Sequence, residues 1–79
     1  MRYYFNIRND SGLARDPEGA DFDTLEAASD EAVQSAREIL AERLVRGEII
    51  DGDIFEITTE AGEVVNIIKF KDTLRFDRV

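Results

Sequence analysis

Apolar and polar positions alternate from Arg2 to Arg8, with Tyr3, Phe5 and Ile7 on one side and Tyr4, Asn6 and Arg8 on the other. Period two with aromatic and β-branched residues predicts a strand. Asn9-Asp10-Ser11-Gly12 follows as a run of turn formers, in which Gly12 can take a positive φ. The pattern then predicts a hairpin, with Leu13 to Asp16 as a short returning strand. Asp16-Pro17-Glu18-Gly19 is a second turn. Pro17 stops the strand, because it fixes φ and has no N–H to give.

The period then changes from 2 to 3.6. Leu25, Ala28, Ala32, Val33, Ala36, Ile39 and Leu40 share one side of a helix predicted over Thr24–Arg46, with Leu44 at its margin. Three alanines at spacing four make the middle of that side thin, so the helix can lie close to a sheet. Gln34, Arg37, Glu38 and Ala41 point to water. Asp23 is the preferred N-cap, with Glu26 three residues on as in a capping box and Thr24 as the alternative. Gly47 ends the pattern, and Arg43 and Arg46 suit the C-terminal dipole. Val45 lies off the apolar stripe.

Ile49 and Ile50 follow, and Asp51-Gly52 turns the chain. Ile54–Thr59 is predicted as a third strand, with Phe55 and Ile57 on one face. Glu60-Ala61-Gly62 is a tight hairpin loop with Gly62 at positive φ. Glu63–Phe70 is predicted as a fourth strand. Val64, Asn66, Ile68 and Phe70 share one face, and Val65, Ile67 and Lys69 the other. Leu74 and Phe76, in the tail Asp72–Val79, fit a further edge segment or one helical turn.

The order strand, strand, helix, strand, strand predicts an α+β fold. It is a two-layer ββαββ sandwich, with one helix on a four-stranded antiparallel sheet in the order 2-1-3-4. With Phe5, Phe55, Ile57 and Phe70 under the helix, Tyr4, Ile54, Val65 and Ile67 lie on the uncovered side with Asn6, Arg8, Glu56 and Lys69. Either face of the fourth strand could be the inner one, since Val65-Ile67 and Val64-Ile68 are almost equally apolar. A strand apolar on both faces usually has both covered, and one helix covers one. A homodimer that buries this face or a sheet edge is therefore expected. The alternatives are a tail folded over it or an exposed patch. The interface expected on this ground comprises Tyr4, Asn6, Arg8, Ile54, Val65, Ile67 and Lys69.

Seventy-nine residues make one small domain, near the lower end of what folds alone. There is no cysteine and no histidine, so disulfides, a zinc site and a histidine-activated serine are all excluded. Zero cysteine, with no apolar leader and no 18-residue apolar stretch, points to a soluble cytoplasmic protein. Eighteen acids against ten bases give a net charge of −8. Neither nucleic acid nor an anionic membrane is an expected partner, since both select a basic face. No phosphate loop or Ca²⁺-loop spacing is present, no carboxylate pair stands out for acid–base work, and no cofactor is expected.

Acids are densest from Asp16 to Glu31: Asp16, Glu18, Asp21, Asp23, Glu26, Asp30 and Glu31. They are candidates for a surface that meets a basic partner, or for a cation site near Asp21 and Asp23. The plainer reading is a solvated loop and a helix start whose acids complement the dipole. Asp51-Gly52-Asp53 reads as a turn before the third strand, with a ligand loop as the alternative.

Arg2-Tyr3-Tyr4-Phe5-Asn6-Ile7, the Asp16-x-Glu18-Gly19 turn, Leu25-Glu26-Ala27-Ala28, Ser35-Ala36-Arg37-Glu38 and Phe55-Glu56-Ile57-Thr58-x-Glu60-x-Gly62 are similar to a small bacterial family. It is a domain-of-unknown-function group frequent in rhizobia and related alphaproteobacteria, and the resemblance covers nearly the whole chain. It implies a bacterial, cytoplasmic, stand-alone small protein, and it carries no catalytic residues. Leu25-Glu26-Ala27-Ala28 behind an aromatic strand also resembles HicB-like antitoxins. The Pro-Gly-Cys loop of that group and its DNA-binding segment are missing here. The leading expectation is a non-enzymatic, self-associating interaction module. An antitoxin-like protein that neutralises a basic partner such as an RNase, and a small-ligand binder, are the alternatives.

Overall fold

A computed structural model of the chain describes residues 1–48 and 52–75. Ile49, Ile50, Asp51 and Phe76, and with them the expected Asp51-Gly52 turn, lie at least partly outside the described residues. Strands β1 (Arg2–Asn9), β2 (Gly12–Ala14) and β3 (Ala20–Asp21) precede a helix α1 (Leu25–Val45). Strands β4 (Ile54–Thr59) and β5 (Val64–Lys69) follow, and then a 3-10 turn, Phe70–Thr73. The fold is α+β, with one helix packed against one face of an antiparallel sheet. The sheet has five strands where four were expected. The path is β2-β1-β4-β5, and β3 pairs with β1 as well.

The additional strand comes from one carboxylate. β2 and β3 pair with opposite ends of β1, Ile7 with Ala14 at one end and Arg2 with Asp21 at the other. Between them the chain leaves the ladder, and Asp16 fills the gap. Its Oδ2 accepts the Phe5 N–H at 3.1 Å, and its Oδ1 accepts the N–H groups of Glu18 at 3.2 Å and Gly19 at 3.1 Å. Asn6 Oδ1 in turn accepts the Asp16 N–H at 2.9 Å. The returning strand therefore ends at Ala14 instead of Asp16, because the next backbone partners are side chains. Gly19 then brings the chain back with φ +67, where a Cβ would fall 2.8 Å from the Tyr3 carbonyl oxygen and 2.8 Å from the Tyr4 ring.

The helix starts one residue later than the preferred cap. Thr24 is the N-cap, and its hydroxyl accepts the Ala27 N–H at 3.0 Å. Asp23 cannot take that place because Phe22, just past β3, is still tied by its backbone to the chain start. Phe22 exchanges backbone bonds with Met1, at 2.8 and 2.9 Å, which leaves Asp23 as the connecting residue. Phe22 also packs onto β1, stacked on Phe5 at 5.8 Å and tilted to Tyr3 at 6.4 Å.

Ala28, Ala32 and Ala36 are fully buried, and Leu40 continues their stripe. Opposite them lie Phe55, Ile57 and Phe70. An aromatic series crosses the core from Phe22 through Phe5 and Phe55 to Phe70, closing to 4.7 Å at the last pair. Burying Leu40, Ile57 and Phe70 stabilises the fold by about 1.5–3 kcal/mol each. Phe70 was expected on the fourth strand but opens the 3-10 turn, and Leu74 beyond it packs on the same core. Three polar ties fix the helix over the sheet. Asn66 Nδ2 donates to Ser29 Oγ at 2.8 Å, Arg37 Nε to the Thr73 carbonyl at 2.9 Å, and Arg43 pairs with buried Asp53 at 2.6 Å.

Candidate functional site

The strand register fixes which residues share the face opposite the helix. Antiparallel pairing sets Tyr4, Thr58 and Val64 in one row, and Asn6, Glu56 and Ile67 in the next. Leu13, Arg8, Ile54 and Lys69 form a third row, and Arg2 faces Asp21 at the far end. Cross-strand neighbours on one face stand about 5 Å apart. Tyr4, Asn6, Arg8, Ile54, Ile67 and Lys69 therefore lie together on the open face.

Val65 does not lie with them. A bulge in the β4–β5 ladder pairs Ile57 with Asn66 but Thr58 with Val64. One extra residue lets two consecutive side chains turn the same way. Val65 joins Asn66 and Ile68 on the helix side and packs against the core. Val64 is turned out and is 46% exposed, next to Ile67 at 52%.

Asn6, Arg8, Glu56 and Arg2 on this face are partnered. Asn6 is buried, accepts from Asp16 and donates to Thr58 Oγ1 at 3.4 Å. Arg8 makes a two-nitrogen contact with Glu56. Glu56 raises the Arg8 pKa, first through the hydrogen bond and then through its charge. Arg2 pairs with Asp21 at 3.1 Å. A depression of about 220 Å³ opens here among Tyr4, Asn6, Arg15, Asp16, Thr58 and Glu60. A larger one of about 420 Å³ lies beside Asp53 and Ile54, with Lys69, Lys71 and Asp72 on its rim. Both are open to solvent.

The acidic run divides. Glu18, Asp23, Glu26, Asp30 and Glu31 are exposed. Asp21 is occupied by Arg2, and Asp16 is turned inward. Burial alone would push the Asp16 carboxyl up, but the backbone N–H groups of Gly19, Phe5 and Glu18 outweigh it and hold the carboxyl below its usual value. Among the described residues, no three of His, Cys, Asp and Glu come together in a way that could hold a metal ion. Nor is any helix there long and apolar enough to cross a membrane.

A family model for a domain of unknown function, DUF6894, matches residues 2–71. The chain belongs to this family. Neither a curated protein nor a solved structure matches it. The matched range of the DUF6894 domain takes in the whole sheet, the helix and the first part of the 3-10 turn.

Two residues of the domain were not singled out by sequence reasoning. Asn66 was placed on a face and given no task, yet it bridges the helix at Ser29 and accepts the Ile67 N–H at 2.9 Å. Asp53 was read as part of a turn, yet it anchors Arg43. An asparagine between two apolar pairs, and an aspartate immediately before a strand, were the available signals.

Proposed function

We propose that this domain is a non-enzymatic interaction module that associates with a second copy of itself. The observation that carries the reading is the open sheet face, where Val64 and Ile67 stand half exposed beside Tyr4, Leu13 and Ile54. The polar groups between them are already paired within the chain, so covering the face strands few of them. The face also joins cations to anions, as Arg2 to Asp21 and Arg8 to Glu56. Much of the −8 charge lies elsewhere, on the exposed residues of the helix start and its outer side. Two copies can meet on the sheet with the least like-charge repulsion.

Against an enzyme stand the open depressions and the state of Asp16, whose carboxyl is lowered and engaged with backbone. A general acid needs a raised pKa in a closed site. A cytoplasmic, bacterial setting belongs to the same proposal, on the absence of cysteine and the resemblance given above.

Light scattering at high micromolar concentration tests the reading. A dimer is expected, and Ile67→Lys lowers its fraction. A monomer throughout that range sinks the proposal.

A second reading rests on the exposed acids Glu18, Asp23, Glu26, Asp30 and Glu31. They suit a basic protein partner, as in antitoxin-like neutralisation of an RNase. A captured basic protein that is lost on charge reversal at Glu26, Asp30 and Glu31 supports it.

A further inference from the structure

We infer that two copies of this chain meet sheet face to sheet face about a two-fold axis that crosses the strands, and that a side chain hinders pairing at each sheet edge. This rests on the self-association proposed above and adds its geometry.

The edges come first. An open strand edge is a template for another strand. β5 ends the sheet, and its free side is set by the ladder to β4. The Phe70 N–H bonds the Asp53 carbonyl at 3.0 Å, in register with the Ile54–Lys69 pair. Bonded and non-bonded pairs alternate in an antiparallel ladder, so Ile67 directs its N–H away from β4. That N–H is already taken by Asn66 Oδ1. Asn66 is held in place by Ser29 on the helix, so the block is rigid. At the other edge β2 and β3 are three and two residues long. In the gap between them Asp16 takes the Phe5 N–H. A side chain thus takes one backbone donor at each edge, which leaves a second strand fewer partners there.

The face remains. Lys69 and Glu60 stand at opposite ends of it. Arg8 and Lys69 occupy the row at one end, and Glu60 borders the depression at the other, with Arg15 also lining that depression. Arg8 is held by Glu56, whereas Lys69 and Glu60 have no ion-pair partner among the described residues. A two-fold axis across the strands exchanges the ends, so Lys69 of each copy lies over the Glu60 end of the other. Self-complementarity of this kind is what an isologous interface requires. Val64 and Ile67 fall between the two charged ends and supply the apolar centre. Four strands about 4.8 Å apart make this a small interface, and the dimer is expected to exchange readily with monomer.

The test is sedimentation velocity on the full chain with Lys69→Glu, Glu60→Lys, the double reversal, and Asn66→Ala. Both charged positions are exposed, and circular dichroism confirms that each variant is folded. Each single reversal is expected to weaken the dimer by about tenfold, and the double reversal to restore it. Asn66→Ala is expected to keep the dimer and add larger species, because the Ile67 N–H is released. A dimer that ignores both charge reversals overturns the face geometry and leaves self-association standing. A larger-species fraction unchanged in Asn66→Ala overturns the hindered edge. A wild-type monomer at high micromolar concentration overturns the underlying reading too.

Discussion

Asp16 accepts the backbone N–H of Phe5 across eleven residues of chain, at 3.1 Å. With the Glu18 and Gly19 bonds, one carboxylate holds three backbone donors in the middle of a sheet edge. Replacing it with alanine leaves donors at a half-buried site without partners. Asp16→Ala is expected to cost about 2–3 kcal/mol, read as a lower urea midpoint at unchanged slope.

The same carboxylate gives a pH dependence whose sign is fixed. Its folded pKa lies below the ordinary aspartate value of 3.8. The charged form is therefore favoured by folding, and its contribution is fully present above the unfolded value. It is lost as pH falls from about that value through the lower folded one. Asp16→Asn should flatten the acid limb of the stability curve in this window and leave the neutral region lower but flat.

Thr24 and Asp23 are adjacent candidates for one capping task, and mutation separates them. Thr24→Ala removes the acceptor for the Ala27 N–H and is expected to lower stability by about 1 kcal/mol. Asp23→Ala should change it by less than about 0.5 kcal/mol, as an exposed position does. Paired thermal melts at neutral pH and moderate salt decide the matter.

Gly19 and Gly62 both have positive φ, but their surroundings differ. A Cβ at Gly62 meets nothing within 4 Å, whereas one at Gly19 meets the Tyr3 carbonyl and the Tyr4 ring. Gly62→Ala should cost about 1 kcal/mol, from the backbone alone. Gly19→Ala adds a clash with fixed neighbours and should cost about 2 kcal/mol more. Loss of the β3 pairing should appear as faster amide exchange at Tyr3, Ala20 and Asp21.

Arg43 and Asp53 join the last turn of the helix to the start of β4. Asp53 is nearly fully buried and Arg43 is about one fifth exposed, so the two deletions are unequal. Arg43→Met strands a buried carboxylate and should cost about 3 kcal/mol. Asp53→Ala leaves a guanidinium that can turn to water, and should cost roughly half as much by the same chemical-unfolding measurement.

The layers were legible in the sequence because Tyr3, Phe5, Ile7, Phe55 and Ile57 keep strict period two and the alanines keep spacing four. What was missed has local causes. The register past Thr58 was hidden because Val64 and Val65 are equally apolar, so hydropathy cannot mark which of them a bulge turns inward. The two-residue β3 carries no strand pattern of its own, since Gly19 and the Asp16 side chain create it. Asp16 looked like surface charge because composition counts carboxylates and does not say what they accept. The open face, apart from the exchange of Val65 for Val64, followed from alternation alone.

The extra residue at Val65 has a consequence for how this hairpin can change over generations. Removing one residue from the loop at residues 60–63 with the bulge kept would slip the register and exchange the inside of the strand with its outside. Conservative substitutions there leave that arrangement alone. The length of this segment is thus under tighter constraint than its spelling, and relatives should differ freely in its letters while keeping its count.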